Sequence, residues 1–378
     1  MHNTRYRFAL NIVLLISVMS LISCELVDRK ARFTKPVSKK GVILEILGNP
    51  PGQVLDLVGK NMSDLDLKDM NLKLANMQNA FLNGTILDGA DLSGANLKGA
   101  SLVRASLINV NLSGADLSES KLVGSDLTGA NLSGAKLYGS DLSRVNLSSA
   151  DVTNIKIQKT EFKYTNFTGT TLDDVDFTGS VLRGAIFENS KLTNVNFSRS
   201  DLSEVSFRNG TLIKVNFNQA QAPGANFEKV GFTKCDMRGA NFFRAIFVGS
   251  IMQFNQMQGA TLDEANFTEA DLMHSDMNLA SAIRTNFTWA YMESAIITNV
   301  NFNFSNLSNA TLRRTDITKS SFRNANLTRA DLQNSILDDV DFTQANISKA
   351  NFKGASIEDT VNLTKARGFE AAKNVGEP

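Results

Sequence analysis

The residues that could carry out chemistry are few and widely separated in this sequence. The chain has two histidines and two cysteines, and only His274 and Cys235 lie outside the first 30 residues. A zinc site, a Cys-His pair or a Ser-His-Asp triad needs several such side chains at one place. The paired carboxylates Asp173-Asp174 and Asp338-Asp339 have no surrounding cavity predicted that would raise a pKa. The sequence therefore predicts no metal, no cofactor and no catalytic residue, and we do not expect an enzyme.

The other cysteine, Cys24, ends a stretch that has the layout of a secretory signal. Basic residues precede an apolar run from Phe8 to Leu21, which is too short and too weakly apolar to indicate a membrane-spanning helix. The residues Leu21-Ile22-Ser23-Cys24 resemble the lipobox of bacterial lipoproteins, whose cysteine is lipidated and becomes the new N-terminus. We therefore expect residues 1–23 to be a signal peptide. An ordinary cleaved signal or a membrane anchor is the alternative.

A lipid on Cys24 would hold the protein at the cell envelope, on the extracytoplasmic side of a membrane. Glu25, rather than an aspartate, follows the cysteine, and this favours the outer membrane if the organism is diderm. Residues 24–40 are basic and have no apolar period, which is typical of a tether. The same charges would attract anionic headgroups, and a solvated spacer is the alternative.

A repeat of five residues organises most of the remaining chain. An apolar residue occupies every fifth position from Met62 to Ile357, large at all but two of them, which makes sixty pentads in one register. The fourteen such positions from Leu82 to Leu147 are all leucine. The residue two places before each is usually small, and the residue directly before it is often Asp or Asn, as in Ala90-Asp91-Leu92.

Neither regular secondary structure places this repeat on one side of the chain. Five residues of α-helix rotate the side chain by about 500°, so the large residues would wind around the helix. In a flat strand, five is an odd number of steps, so alternate large residues would face opposite ways. A short extended piece and a bend in each pentad returns every large residue to one interior. The sequence therefore predicts a solenoid.

The type of the large residue indicates how many pentads make one coil. Phenylalanine recurs every twenty residues from Phe167 to Phe287. A second set, ten residues out of step, changes from Phe177 through Met237 to Ile297. Similar residues are thus expected to stack at a spacing of twenty, which predicts a four-sided tube of about 15 coils. At the spacing of hydrogen-bonded strands it would be on the order of 70 Å long.

These pentads resemble those of the pentapeptide repeat family, over roughly residues 61–360. The family pattern is a small residue, Asp or Asn, Leu or Phe, and two polar residues. The resemblance implies an all-β fold, a right-handed quadrilateral β-helix. It also implies one candidate function, because the best-understood members of the family mimic DNA and occupy the DNA groove of a type II topoisomerase.

The segments that flank the repeats differ from them in pattern. Residues 41–60 contain two apolar pieces around Asn49-Pro50-Pro51-Gly52, and we interpret them as an N-terminal cap over the open end of the tube. A small binding hairpin is the alternative. Residues 361–378 leave the register and are expected to form a C-terminal cap and tail, with a short helix beginning at Ala366.

A few repeats depart from the pattern. Ala222 and Ala282 stand where a large residue is expected, and Pro223 removes a backbone donor, which suggests a bulge or slight bend. Asn255 occupies a small inward position and must find a hydrogen-bond partner there. Cys235 also falls in a small inward position and is predicted to be a buried free thiol. We expect packing adjustments at these places rather than functional sites.

Two large aromatic residues fall at outward positions of the register. Trp289 and Tyr291 are separated by one inward residue, and exposed aromatic side chains at this spacing can anchor a partner. Singly exposed aromatic residues are also common on protein surfaces. We identify the pair as a possible partner-binding surface.

The charge balance separates two candidate functions. Removal of residues 1–23 would take away two arginines and leave 37 basic and 38 acidic side chains, a net charge of −1. A DNA mimic needs a strong negative field, and a secreted protein would be kept away from topoisomerases. We therefore expect a non-catalytic, lipid-anchored envelope protein whose rigid rod is a structural or interaction scaffold for an envelope protein or glycan. No nucleic-acid partner is expected.

Overall fold

The computed structural model describes residues 41, 44, 48 and 53–373 of the chain. The predicted coil of twenty residues is confirmed by the backbone pairing. Parallel bridges join residues twenty apart along the chain, from Asp56 with Asn76 to Ile336 with Ser356. The fold is an all-β, right-handed quadrilateral β-helix, as the sequence predicts. Within the described part of the chain, no helix is both long enough and apolar enough to cross a bilayer.

Regular strands of three residues form on one of the four faces. They are β1 (Thr171–Asp173), β2 (Lys191–Thr193), β3 (Thr211–Ile213) and β4 (Gly231–Thr233). They pair in parallel in the order β1-β2-β3-β4, each displaced by twenty residues from the last. Elsewhere in the repeats the described residues pair through single parallel bridges, because each side of a coil is only one pentad long.

A left-handed residue makes the corner in every pentad. Each fifth residue from Gly59 to Asp359 has a φ between 52° and 71°. The corner is closed by a bond across the turn, as where the Leu65 amide donates to the Met62 carbonyl at 3.2 Å. A residue other than glycine gives up about 1–2 kcal/mol in this conformation. At most corners a hydrogen bond from the corner amide to the next coil offsets this cost.

Asp and Asn before the large residue complete the hydrogen bonding of many corners. In some pentads the N–H of the residue after the large one donates to a side chain of the neighbouring coil, as Val103 does to Asn83 Oδ1 at 3.0 Å. In many others the Asp or Asn side chain of the same pentad accepts it. The Ser133 amide thus donates to Asn131 Oδ1 at 2.9 Å. Pro223 occupies this position, where no bond between coils is lost. Pairing continues unbroken on both sides of it, so the expected bulge is absent there.

The interior is filled by the large residues of the register. From Leu57 to Phe352 they are at most 5 % exposed. Rings twenty residues apart stack face to face, as in Phe227 and Phe247, whose centroids are 4.8 Å apart at 7°. Rings of neighbouring columns meet edge to face, as in Phe217 and Phe227 at 5.9 Å and 89°. Both arrangements are favourable for aromatic pairs.

The two alanines in the large-residue position are matched by a phenylalanine in the coil above. Phe242 lies directly above Ala222 in the ladder, and its ring centroid is 5.7 Å from that of Phe227. Phe302 occupies the same position above Ala282. The large ring fills the space that each alanine leaves, so both alanines are fully buried without a local bend.

The buried Asn255 finds the partners that its position requires. Its Oδ1 accepts a 2.7 Å hydrogen bond from the Cys235 amide, and its Nδ2 donates to the Gln253 carbonyl at 3.1 Å. The side chain thus takes the place of the backbone bond that closes other corners within a coil, and it is only 1 % exposed.

The N-terminal part of the chain is described only in part. The predicted signal peptide (1–23), the lipidated Cys24 and the tether (24–40) lie outside the described residues. In the predicted cap, residues 41, 44 and 48 are helical, and bridge pairing already begins at Asp56. The repeat geometry therefore starts five residues before the predicted position, because Leu57 is fully buried in the register of the later coils.

The last part of the chain continues the ladder of parallel bridges, but its last two bridges join residues more than twenty apart. A 3-10 helix, Phe369–Ala371, lies within the segment expected to be the C-terminal cap. Leu363 and Ala366 are buried, and Phe369 and Ala372 pack against the end of the core. These apolar side chains cover the final coil. Residues 374–378 lie outside the described residues.

We predict that the phenylalanine stack contributes strongly to stability. Phe227→Ala should lower the free energy of unfolding by about 3–5 kcal/mol, because the ring is fully buried between Phe207 and Phe247. Ser133→Ala, at an outer corner, should change it by less than about 1 kcal/mol. Denaturant unfolding of the full chain measures both values, and equal destabilisation by the two substitutions would contradict the assignment of the interior.

Candidate interaction surface

The residues with potential for catalysis or metal binding are not brought together by the fold. His274 is at an outer corner, where its ring stacks on Phe254 at 4.7 Å. Asp174 and Asp339 are at corners too, in different coils, and both are exposed. Among the described residues, no group of three or more His, Cys, Asp or Glu side chains is placed to hold a metal ion.

Cys235 is buried inside the tube. Its thiol donates to the Leu212 carbonyl at 3.4 Å, and the residue is 2 % exposed. Burial raises the pKa of the Cys235 thiol from 9.0 to about 11. At neutral pH this side chain is therefore a neutral space-filling group rather than a nucleophile.

Trp289 and Tyr291 both project from the rod. Trp289 is a corner residue with a φ of 61° and is 53 % exposed. Tyr291 follows on the next face, pairs with Asp271 below and Thr311 above, and is 52 % exposed. The buried Ala290 lies between them, so the backbone holds the two side chains at a fixed separation around one edge of the rod.

The structure adds apolar residues to this surface that the sequence reasoning did not single out. Ile251 lies two coils below Tyr291 in the same column and is 57 % exposed. Phe254, at the corner of that coil, is 62 % exposed. We call Ile251, Phe254, Trp289 and Tyr291 the aromatic surface. The pentad register already assigns all four to outward positions, and that signal would have found them.

A shallow depression borders the aromatic surface. Its volume is about 240 Å³, and its lining is Phe232, Thr233, Lys234, Ile251, Gln253 and Phe254. Gly231, which pairs with Ile251 from the coil below, has open space where a side chain would be. The aromatic surface thus combines projecting rings with a small recess, an arrangement suited to burying an apolar group of a partner.

Charged side chains pair with one another across neighbouring coils. Arg244 Nε lies 2.7 Å from Glu264 Oε2, and Arg313 Nε lies 2.6 Å from Asp331 Oδ2. Such exposed pairs contribute about 0–1 kcal/mol each to stability. Their effect on the surface potential is larger, because pairing prevents a face of one sign along the middle of the rod.

The filled β-helix with polar corners defines a class of solenoid protein without an interior binding site. The model of the family described as pentapeptide repeats matches eight copies in segments that together run from residue 85 to residue 361. The chain therefore belongs to the pentapeptide repeat family. Proteins of this family are generally non-catalytic and have structural or interaction roles.

Solved structures of pentapeptide repeat proteins are similar to this chain. Rfr23 from the cyanobacterium Cyanothece 51142 is 27 % identical over 28 % of this chain and 89 % of its own, with a TM-score of 0.23. HetL from Nostoc sp. strain PCC 7120, involved in regulating heterocyst differentiation, is 18 % identical over 86 % and 94 %, with a TM-score of 0.17.

A third structure is QnrB1, a plasmid-mediated fluoroquinolone resistance protein. It is 19 % identical over 53 % of this chain and 91 % of its own, with a TM-score of 0.25. None of the curated proteins matches this chain. These likenesses concern the fold and do not by themselves assign a function.

We predict that Cys235 is unreactive in the folded protein. In a Cys24→Ala variant, where it is the one remaining thiol, a disulfide reagent at pH 8 should react at least about 100-fold more slowly than after unfolding in urea. The raised pKa also predicts a stability contribution that is constant below about pH 9 and decreases as the pH rises to about 11. Fast reaction in the native state would contradict the burial.

Proposed function

We propose that this protein is a non-catalytic, lipid-anchored envelope protein whose rod serves as a structural or interaction scaffold. The lipid is carried by Cys24, at the end of a signal peptide comprising residues 1–23. The rod stands on the extracytoplasmic side of the membrane, and the outer membrane is favoured if the organism is diderm. The observation that carries the scaffold role is the core, which is filled from Leu57 to Phe352 and leaves recognition to the outer faces.

The regularity of the rod supports this proposal. Parallel bridges join the coils on all four faces, with a gap between Lys156 and Asp176, so positions on the surface are fixed relative to one another over many coils. A repeat protein built in this way presents an extended surface without needing to change shape. The aromatic surface is the part suited to bind a partner protein, and the polar faces are suited to a glycan.

The second candidate function is that of a DNA mimic that inhibits or protects a type II topoisomerase, since the best-understood members of the family act as DNA mimics. The rod shape that a mimic requires is present. The charge distribution favours the scaffold, because arginines and lysines alternate with the carboxylates and pair with them, as in Arg208 with Glu228 at 3.2 Å. A phosphate mimic needs unpaired negative charge.

The anchor is tested by labelling cells with a radioactive fatty acid. The wild-type chain should incorporate label and fractionate with membranes, because the thiol of Cys24 is the acceptor. Cys24→Ala should abolish both. Cys235→Ala is the matched control and should leave labelling unchanged, since that thiol is buried. Labelling that survives in Cys24→Ala would refute the lipidation site.

The second candidate is tested in a gyrase supercoiling assay with the purified chain. We expect no inhibition at protein concentrations in the low micromolar range. The surface lacks the strong negative electrostatic potential that a DNA-binding groove attracts. Inhibition at or below enzyme concentration would reverse the order of the two candidates.

A further inference from the structure

The last coil of the rod does not follow the five-residue step of the others. Val361 pairs with Asp341, but the next bridge joins Arg367 to Asn346, and the one after joins Lys373 to Asn351. Six residues therefore span each of these two sides instead of five. The extra residue widens the path of the chain at the corner between Val361 and Arg367.

The widened corner leaves a recess at the end of the rod. Asn324 and Gln344 are corner residues of the two preceding coils, stacked one above the other with a φ of 58° each. The six-residue side does not continue their column. A depression of about 340 Å³ results, and its lining is Asn324, Gln344, Lys365 and Arg367. This volume is at the lower end of the roughly 300–1,000 Å³ typical of small-molecule sites.

The two basic side chains of the recess give it a positive charge. Lys365 and Arg367 are both exposed, and among the described residues no carboxylate contributes to the lining. Neither side chain has a carboxylate within 4.0 Å in the described part of the chain, whereas the neighbouring Arg323 lies 3.5 Å from Asp341. The guanidinium of Arg367 can donate hydrogen bonds to two oxygens of a carboxylate or phosphate at once.

Amide groups make up the rest of the recess and continue along the adjacent face. The side chains of Asn324 and Gln344 each offer a donor and an acceptor for hydroxyl groups. Beside them, Asn346 Oδ1 accepts from the amide and hydroxyl of Ser348, and Asn326 Nδ2 donates to Asn306 Oδ1. In the two coils that contain Asn326 and Asn346, this face has no charged side chain between its corners, and Arg367 follows Asn346 in the same ladder.

We propose that this recess, lined by Asn324, Gln344, Lys365 and Arg367, binds an acidic sugar unit of an envelope polysaccharide. Lys365 and Arg367 bind the acidic group, and the two amides bind ring hydroxyls. The placement of the polysaccharide in the envelope rests on the proposed function, whereas the binding chemistry does not depend on the lipid anchor.

Other classes of partner fit the recess less well. A nucleic acid requires a row of basic side chains along its backbone, and the recess offers two. A stable protein interface has an apolar centre, and none of the described residues that line the recess is apolar. A sugar unit has one acidic group, which the two basic side chains can bind together, and hydroxyl groups that the two amides can bind.

The proposal is tested by calorimetric titration of the full chain, purified in detergent, with oligomers of galacturonic acid. Binding should be measurable at low salt and should weaken as NaCl is raised, because the contact is charge-assisted. Neutral dextran of the same length should bind at least about tenfold more weakly, since it lacks the acidic group. Inorganic phosphate should compete if phosphate and carboxylate share the site.

The variants Lys365→Ala and Arg367→Gln should each weaken the binding of galacturonate at least about tenfold. Lys353→Ala is the matched control, because it removes one exposed positive charge from a different corner near the same end. Circular dichroism and thermal unfolding of each variant verify the fold. The proposal is refuted if Lys353→Ala weakens binding as much as Lys365→Ala, if dextran binds equally well, or if duplex DNA binds more tightly than galacturonate.

The outcome is separable from that of the anchor experiment. Loss of fatty-acid labelling in the wild type would remove the envelope location while leaving acidic sugar binding intact. Loss of sugar binding with labelling retained would remove the ligand while leaving the scaffold in place.

Discussion

Hydrogen bonds between residues twenty apart are the constraint on which the rest of this molecule depends. In most pentads the amides of the large residue and of the corner residue donate to the coil above, and the next outward residue donates to the coil below. Within the repeats these bonds recur in register because the coils have four equal sides. Equal sides require a corner after each extended piece, and the corner requires a residue with positive φ. The repeat of five is the sequence expression of this requirement.

The same constraint determines where function can reside. Each coil closes around its own large side chains, and stacked rings such as Phe167 and Phe187, 4.5 Å apart, leave no room for a ligand. The size of an inward residue therefore affects the packing of the coils above and below. The large ring of Phe242 above the small Ala222 illustrates this. Outward positions are free to vary, because their backbone groups are already satisfied. The aromatic surface and the recess at the last coil both consist of such residues.

The ends of the solenoid differ from its middle for a physical reason. In the middle, every coil has a neighbour on both sides, and the geometry is uniform. At the last coil the apolar interior needs a cover, which Leu363 and Phe369 help to provide. Residues that serve as a cover do not have to keep the five-residue step. The two six-residue sides follow from this freedom, and the one between Val361 and Arg367 gives the widened corner at which the proposed acidic-sugar site lies.

The sequence by itself determined the solenoid, the coil of twenty residues and the direction of nearly every side chain. A strict period leaves no other way to bring the large residues together, so even Trp289 and Tyr291 could be assigned to the surface. Its local pattern did not reveal that the residue at each corner is left-handed, nor that Pro223 would be accommodated without a bulge. Only the tertiary structure decided the partners of Asn255, the neighbours that complete the aromatic surface and the recess beside Arg367. These depend on which residues stack one coil apart and on where the step changes from five to six, and both are properties of the closed coil.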